Sequence, residues 1–258
     1  MTGGKRYVFT SDTHLGAGGA AFVIASDEDG STPYIAGSTE ARFEEFLDTL
    51  PDDVKILFLL GDIFDFWFER PGVNHNAFTR ILAAISRVVE RGTLVYFFPG
   101  NHDWWTFGFL ERQTGMRIIK RQPLYLSLEG KRFCMAHGDS IGPRGFGGWL
   151  LQVVLKNRLV IGLAKVLPAS WLYRFASKWS GSSRHDNTVN PYVFDTRSPL
   201  YRFACKYEQQ RPVDYFIFGH VHRKVAMTTP GGAQLFILND WSEGADWLEF
   251  DSEEVVRK

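Results

Sequence analysis

Five short apolar runs along the chain predict buried β-strands, because each is only a few residues long and is followed at once by polar or glycine residues. The runs cover residues 7–10, 54–60, 93–98, 131–136 and 213–218. Two stretches between the first three runs, residues 40–50 and 78–89, have apolar side chains at helical spacing. Strands that alternate with helices predict an α/β layered fold.

The carboxyl-terminal part of the chain shows a different pattern, in which short strands succeed one another. Residues 224–229, 234–238 and 246–250 have the character of strands, and Pro-Gly-Gly at 230–232 marks a turn. We expect these strands to form a β-meander that joins a second sheet.

The stretch of residues 142–198 fits neither pattern. Much of it is apolar over lengths that suit helices, and Pro168 interrupts it. We interpret it as two helices that form an inserted cap. The chain is then expected to consist of a catalytic domain, residues 1–141 and 199–258, and a substrate-binding helical cap, residues 142–198.

The charge of the chain is balanced overall but unevenly distributed. Its 29 basic and 29 acidic residues cancel, so the chain lacks the overall basic field typical of nucleic-acid-binding proteins. Residues 140–185, in contrast, contain seven lysines and arginines and no acidic residue. This segment, which overlaps the predicted cap, is therefore locally basic as well as apolar.

The cysteine content and the start of the chain indicate a protein of the reducing cytoplasm. Two cysteines, Cys134 and Cys205, are too few for a disulfide framework. The first residues lead directly into a strand pattern and not into a signal peptide. No apolar run reaches the roughly 18 residues that a membrane-spanning helix needs.

Each of the five predicted strands is followed by side chains that can bind a metal ion. These are Asp12 and His14; Asp62 and Asp65; Asn101, His102 and Asp103; His137 and Asp139; and His220 and His222. In α/β sheets, sites assemble in the loops beyond the carboxyl ends of the strands. Imidazole and carboxylate suit divalent first-row metals. A carboxylate can also bridge two cations, and a pair of cations promotes phosphoryl displacement.

A purely structural interpretation of these loops is weaker. One histidine at a strand end is usually an ordinary polar residue, and Asp62 or Asn101 alone could cap a helix or a turn. Here, however, five of the seven histidines lie in loops that follow apolar strands. Glycines precede Asp62, Asn101 and His220, and we expect them to let the backbone turn sharply beside the ions.

The order D-x-H, G-D-x-x-D, G-N-H-D, H-G-D and G-H-x-H resembles the calcineurin-like metallophosphoesterase superfamily. The resemblance covers the catalytic scaffold and implies a four-layer α/β/β/α sandwich, here with an inserted helical cap, that holds two divalent metal ions. By position, one metal would be bound by Asp12, His14, Asp62 and His222. The other would be bound by Asp62, Asn101, His137 and His220, with Asp62 as the bridge.

The same resemblance implies roles for the residues beside the metals. His102 matches the histidine that hydrogen-bonds the scissile phosphate or protonates the leaving group. Asp103 would orient His102 through a ring nitrogen. Asp65 and Asp139 are better suited to supporting the ligands than to binding a metal.

A narrower resemblance is to the UDP-2,3-diacylglucosamine hydrolases, the pyrophosphatases of lipid A synthesis. It is carried by residues 61–69, 100–107, 137–143 and 179–184. It implies attack of water at the α-phosphate, release of UMP and 2,3-diacylglucosamine 1-phosphate, and Mn²⁺ as the metal. Many of these enzymes have arginine where this chain has His102, although the histidine form occurs in a divergent branch of the family.

The same family uses a polar stretch near the sugar and phosphates. The matching candidates here are Ser182, Ser183, Arg184 and Asn187, with Arg144 a further candidate. Arg184 is the first choice, because a guanidinium can pair with phosphate oxygens in bidentate fashion.

The composition of the insert supports a lipid ligand. A buried core helix would explain its apolar content but not the absence of acidic residues. An acyl-chain groove or an anionic bilayer surface explains both. A nucleic-acid patch is the competing interpretation, and the aliphatic content favours lipid. We therefore expect peripheral contact with the cytoplasmic face of an anionic inner membrane and no nucleic-acid partner; no feature of the sequence indicates an oligomeric state.

Two other functions share parts of this pattern. A phosphodiesterase or phosphatase acting on cyclic nucleotides, dinucleoside polyphosphates or phosphoproteins would have the same metal loops, but it would need no apolar insert. A non-catalytic binding module of the same fold would have lost metal ligands, whereas every expected position is filled here.

Overall fold

The computed structural model describes residues 5–16, 37–69, 75–141, 157–164, 167, 193–242 and 244–258. The strands of these segments are β1 Arg6–Thr10, β2 Val54–Leu59, β3 Leu94–Phe97, β4 Arg117–Ile118, β5 Leu124–Leu128, β6 Lys131–Ala136, β7 Tyr215–Phe218, β8 Val225–Thr228, β9 Gln234–Ile237, β10 Trp247–Phe250 and β11 Val255–Arg257. The helices are α1 Thr39–Thr49, α2 Thr79–Glu90, α3 Phe109–Thr114, α4 Arg158–Ala164 and α5 Pro199–Glu208, and a 3₁₀ turn, Asn76–Phe78, precedes α2.

The strands form two mixed sheets. The first has the order β11-β10-β1-β2-β3-β4, and its strands β1 to β4 are parallel. The second has the order β5-β6-β7-β9-β8, with β6, β7 and β9 parallel and the two edge strands antiparallel. The parallel strands of each sheet end at one edge, so the loops that follow them can meet there.

Alternation of side chains across β1 shows how the sheets stack. Val8 packs toward the helices α1 and α2, whereas Phe9 faces the second sheet. There Phe9 stacks on Phe58 from its own sheet, at 4.9 Å between ring centroids, and on Phe133 from the other sheet, at 5.7 Å. A further apolar layer lies between the second sheet and Leu200 of α5. Three apolar layers separate helices, sheet, sheet and helix, which confirms the predicted α/β/β/α sandwich.

The helices that cover the first sheet begin and pack as their sequences predict. The Ser38 hydroxyl accepts a hydrogen bond of 3.2 Å from the Ala41 N–H, so it caps α1. The apolar face of α2 includes Ile81 and Ile85, both buried against the sheet. All five predicted strands and both predicted helices are therefore confirmed, with ends that differ from the prediction by at most two residues.

The prediction of a carboxyl-terminal meander is wrong for its last strand. β8 and β9 pair in the second sheet, but β10 crosses to the first sheet and runs antiparallel to β1, with Tyr7 opposite Phe250. The pattern of alternating residues did not reveal this, because Leu248 and Phe250 are buried between the sheets and that layer is shared by both. Pairing with either sheet would have buried them.

Only a small part of the predicted cap belongs to the described residues. Within residues 142–198 these are helix α4, with Asn157 before it, Leu167, and residues 193–198. None of the helices in the described segments is both long enough and apolar enough to cross a membrane.

Candidate metal centre

The five predicted loops meet at one edge of the sandwich, where main-chain hydrogen bonds join them. The N–H groups of Asp12 and His14 donate to the carbonyls of Gly61 and Asp62, each at 3.0 Å. In the second sheet, the Gly219 N–H donates to the His137 carbonyl at 2.9 Å. These bonds hold neighbouring loops at a defined separation.

Most of the predicted ligands have a strained backbone. Among the described residues, seven that are not glycine have positive φ, and five of these are predicted metal ligands: Asp12, His14, Asp62, His220 and His222. A left-handed conformation costs a residue with a side chain about 1 kcal/mol or more. Such strain persists where surrounding bonds enforce it, and it is typical of functional sites.

The first group of potential ligands consists of Asp12, His14 and His222. The Nε2 atom of His222 lies 3.2 Å from Oδ1 of Asp12 and 3.1 Å from Nε2 of His14. Nδ1 of His14 lies 3.3 Å from a carboxylate oxygen of Asp65, and Nδ1 of His222 lies 3.4 Å from one of Asp240. The nearby carboxylates favour protons on both Nδ1 atoms, although Nδ1 of His14 makes no hydrogen bond. That leaves two Nε2 lone pairs converging with a carboxylate, an arrangement suited to a cation.

The second group consists of Asp62, His137 and His220. The His137 ring has its Nδ1 2.9 Å from the Leu60 carbonyl, which places its proton there, and its Nε2 lies 3.2 Å from a carboxylate oxygen of Asp62. Six buried side-chain atoms of the described segments have no hydrogen-bond partner, and three of them belong to predicted ligands: Nδ1 of His14, Nε2 of His137 and Oδ1 of Asn101. Nε2 of His137 and Oδ1 of Asn101 are the two that belong to the second metal's predicted ligands. Buried polar atoms are nearly always satisfied, so both atoms fit the role of metal ligands.

The carboxylate of Asp62 interacts electrostatically with histidines of both groups. Burial would raise the pKa of the Asp62 carboxyl, but the imidazoles of His137, His102 and His14 hold this pKa well below its ordinary value. Burial would likewise lower the pKa of His137, but the carboxylate of Asp62 raises it well above its ordinary value. For His220, whose side chain also reaches the surface, desolvation and the charge of His137 lower the pKa to about 4. Asp62 and His137 therefore form an ion pair, and a cation bound here would displace the proton from Nε2 of His137, because a histidine ligand must be deprotonated there.

Asp103 and His102 are arranged differently from the expectation. The His102 ring is oriented by Asp65, whose main-chain carbonyl lies 2.7 Å from Nδ1. His102, Asp65 and His14 also form a third group whose potential ligand atoms lie within 4.8 Å of one another. The buried Asp103 carboxylate instead accepts main-chain N–H groups at 2.7 to 3.3 Å, from Gly100, Ile63, Asp62 and Phe64. Despite these bonds, burial and the charge of Asp62 raise the pKa of Asp103 to about 7. Asp103 thus fastens the loops after β2 and β3 to each other, which the G-N-H-D motif alone did not reveal.

Asp240 is a residue of the centre that the sequence argument missed. It follows β9 by three residues, and its carboxylate faces Nδ1 of His222. The same rule that selected the other loops would have found it, because residues 234–238 were predicted as a strand. Gln122 was missed as well: its side-chain oxygen accepts the His137 N–H at 2.7 Å, and no local motif marks it.

Of the remaining predicted residues, Asp139 lies beside the centre, and the predicted substrate-binding residues are not among those that the structure describes. Asp139 is half-buried, and its charge acts on both His137 and His220. The predicted substrate-binding residues lie outside the described residues: Arg144, Ser182, Ser183, Arg184 and Asn187.

The glycines beside the ligands serve two different purposes. Gly61 has φ of 88°, so it provides the sharp turn that was predicted. Gly100 and Gly219 are not in the left-handed region, and their requirement is space. A Cβ atom on Gly100 would collide with the Asp62 carboxylate and lie 2.8 Å from Nε2 of His137. A Cβ atom on Gly219 would collide with the Asp12 carboxylate.

Replacement of Gly100 by alanine is therefore expected to displace ligands of the second group. We expect roughly 10²-fold lower activity on an aryl phosphodiester, since a shift of about 1 Å at a reacting centre has an effect of that size. Gly162→Ala is the matched control, because a Cβ atom there would meet nothing within 4 Å. Equal activity and metal content in the two variants would contradict the proposed crowding.

The fold and this set of metal-binding side chains define the class of the protein. A model of the calcineurin-like phosphoesterase family matches residues 5–224, which is most of the chain. The chain belongs to this family, and it is a metal-dependent hydrolase of phosphoric esters or anhydrides.

The chain is also similar to individual proteins. The chain is 29% identical to the UDP-2,3-diacylglucosamine hydrolase of Porphyromonas gingivalis, over 98% of this chain and 96% of that protein. It is 26% identical to the UDP-2,3-diacylglucosamine hydrolase of Ralstonia nicotianae, over 90% and 82% of the two chains. Among solved structures, the phosphopantetheinyl hydrolase of Mycobacterium tuberculosis is 11% identical, with a TM-score of 0.44 over 100% of this chain and 97% of that one. The last likeness is too distant to support any conclusion.

Proposed function

We propose that this protein hydrolyses the pyrophosphate of UDP-2,3-diacylglucosamine to UMP and 2,3-diacylglucosamine 1-phosphate. Full-length similarity to hydrolases of that name supports the substrate class. The structural observation that carries the proposal is an apolar surface beside the metal loops, which a soluble nucleotide would not require.

The two ligand groups would hold two divalent cations, with Mn²⁺ as the metal suggested by resemblance. The first would be bound by Asp12, His14 and His222 and the second by His137, His220 and Asn101, with Asp62 contacting both. Such a pair, when bound, provides an activated water and neutralises phosphate oxygens. Imidazole, carboxylate and amide oxygen suit Mn²⁺, and the orphaned atoms of His137 and Asn101 fit this role.

His102 is proposed to act on the phosphate and not on the metals. Because a carbonyl can only accept, Nδ1 carries a proton toward Asp65, and Nε2 is the ring atom left to face the substrate. Nε2 can donate a proton when the ring is the doubly protonated imidazolium. Its main-chain N–H donates to the Asp62 carboxylate at 2.9 Å, which ties the imidazole to the proposed bridging ligand. The ring could therefore donate a hydrogen bond to the phosphate or protonate the leaving group.

The apolar surface is the exposed side of helix α4, beneath which aromatic residues from the loops after β2 and β3 form a cluster. Phe68 and Trp105 form the buried centre of this cluster, with their rings 4.9 Å apart. Ile161 of α4 packs on this cluster, while Leu159 and Leu163 of the same helix are 83% and 57% exposed. Burying an acyl chain contributes about 0.8 kcal/mol per CH₂, so such a surface suits the lipid part of the substrate.

We further propose that residues 142–198 are an inserted cap that carries this apolar surface toward the cytoplasmic face of the inner membrane. The basic composition of residues 140–185 is complementary to anionic lipid. Arg184 is proposed to pair with substrate phosphates, assisted by Ser182, Ser183 and Asn187, with Arg144 as a weaker candidate.

An assay with three substrates tests the proposed function. Purified protein with Mn²⁺ would be given UDP-2,3-diacylglucosamine in detergent, UDP-glucosamine without acyl chains, and an aryl phosphodiester. We expect the highest kcat/KM for the diacyl substrate, with UMP as one product. A soluble nucleotide hydrolysed far faster than the lipid would instead support a general phosphodiesterase.

Leu159→Asp and Leu163→Asp, made separately, test the apolar surface. We expect roughly tenfold or greater loss of kcat/KM on the diacyl substrate, because a charge in the acyl-chain contact replaces apolar burial. Activity on the aryl phosphodiester should be kept. Leu94→Asp is the matched control, because Leu94 is also exposed, at 42%, but begins β3 at the opposite end from the metal loop. Equal losses on both substrates would mean that α4 only supports the fold.

A further inference from the structure

The guanidinium of Arg257, in the last strand of the first sheet, contacts strand ends of the second sheet. Its side chain is 21% exposed, and it pairs with the fully buried carboxylate of Asp246. One terminal nitrogen of Arg257 donates to both carboxylate oxygens, at 2.9 and 2.7 Å. Lys224 also lies near Asp246, with its Nζ 3.8 Å from the carboxylate, but it is 57% exposed and makes no hydrogen bond to it within 3.5 Å. The two hydrogen bonds from Arg257 therefore fix the position of the buried carboxylate.

The other terminal nitrogen of Arg257 connects two strands of the second sheet. It donates to the carbonyls of Val225 and Ile237, at 3.1 and 2.6 Å. These two residues are paired across β8 and β9. Val225 begins β8, three residues after His222, and Ile237 ends β9, three residues before Asp240. One side chain thus holds the strand ends from which the His222–Asp240 pair emerges.

Asp246 extends this connection to the loop that carries Asp240. One of its carboxylate oxygens accepts the Asn239 N–H at 2.7 Å. Its main-chain carbonyl accepts the Thr10 hydroxyl at 3.0 Å, and the same hydroxyl accepts the Trp241 indole N–H at 3.1 Å. The residues on both sides of Asp240 are therefore anchored, to Asp246 and to the end of β1.

We propose that Arg257 is a positioning residue for the first metal group: through Asp246 and the ends of β8 and β9 it sets the separation of His222 and Asp240. This inference rests on the proposed role of His222 as a metal ligand. An Asp240 carboxylate held at Nδ1 keeps the ring proton there and directs Nε2 at the metal. If the two strand ends separate, the imidazole loses its orientation although no ligand has been removed.

The chain provides a matched control for this proposal. Arg132 and Asp214 form a second bidentate pair, with two side-chain hydrogen bonds of 2.8 Å. Arg132 lies near the beginning of β6, and Asp214 immediately precedes β7. Those strands carry their ligands, His137 and His220, beyond the opposite ends. The control pair therefore contributes to stability without contacting the metal loops.

The experiment is calorimetric titration of the metal-free full-length protein with Mn²⁺. Wild type, Arg257→Ala, Arg257→Lys and Arg132→Ala would be compared at a temperature at which circular dichroism shows each to be folded. We expect Arg257→Ala to weaken one of the two binding events by roughly tenfold, the usual effect of losing an outer hydrogen-bond partner, and to leave the other unchanged. Arg132→Ala should bind both ions as wild type does.

The lysine variant keeps the test decisive if the alanine variant does not fold. Lysine retains a charge near Asp246, but its single nitrogen cannot reach both carbonyls and both carboxylate oxygens. We expect an intermediate loss at the same site. Wild-type affinity at both sites in every folded Arg257 variant would overturn the proposal, as would equal weakening by Arg132→Ala.

A His222→Ala variant separates this inference from the proposed function. If His222→Ala leaves both affinities unchanged, the metal assignment itself fails. If His222→Ala weakens one site and the Arg257 variants do not, only the positioning role fails.

Discussion

Replacement of Asp62 by alanine is expected to abolish hydrolysis and to release most of the bound metal from both groups. Asp62 is buried, and it lies beside His137 and His220 in the second group. The His14 imidazole of the first group also contributes to the low pKa of its carboxyl. A carboxylate in this position can bridge two cations, so its loss removes a ligand from each. We expect activity to fall by about 10³-fold or more, since both proposed cations would act on the phosphate.

Metal analysis of the purified variant is the decisive measurement. Asp48→Ala is a suitable control, because Asp48 is an exposed carboxylate that pairs with Arg87. Asp62→Asn adds a second comparison: an asparagine side chain could still accept the His102 N–H but would lack the charge. Two metal equivalents retained per chain by Asp62→Ala would contradict the bridging assignment.

Replacement of His102 by alanine is expected to lower kcat by about 10²–10⁴-fold while metal content remains unchanged. The ring is 9% exposed and is held by the Asp65 carbonyl. It belongs with His14 and Asp65 to a third group of potential ligands, but not to either of the two groups proposed to hold the metals. Its removal would take away a hydrogen bond or a proton from the reaction without opening a metal site. Steady-state kinetics on the diacyl substrate and metal analysis of the same preparation measure the two effects together.

A second buried histidine provides the control for His102. His75 has the same exposure, 9%, but it stacks on Trp67 at 4.1 Å between ring centroids and belongs to neither ligand group. His75→Ala should lower the melting temperature and leave kcat close to that of wild type. Near-normal turnover by His102→Ala would show that its imidazole has only a structural role here.

Much of the centre could be predicted because its signals are local. The apolar run of β1 and the polar residues Asp12 and His14 that follow it are adjacent in the chain, and the other four loops repeat this arrangement. A strand with a ligand at its carboxyl end can be recognised wherever the partner strands lie. The helices α1 and α2 were predictable for the same reason, since their apolar periodicity is contained within one segment.

Other features depended on which segments meet in space. Asp103 was expected to contact the adjacent His102, but its carboxylate fastens main-chain N–H groups of the β2 loop, about forty residues earlier. The orientation of His102 comes from a carbonyl, and every residue has one. No residue type or spacing distinguishes the carbonyl that will be used.

The sequence by itself determined the layered fold, the edge at which the site lies and the side chains that can bind metal, because apolar periodicity and the chemistry of a ligand are properties of short segments. Only the tertiary structure decided that β10 pairs with the first sheet, that Gly100 and Gly219 are needed for space, and that Asp240 faces His222. Each of these depends on the distance between segments far apart in the chain. That distance follows from how the two sheets pack on each other, and no local pattern encodes it.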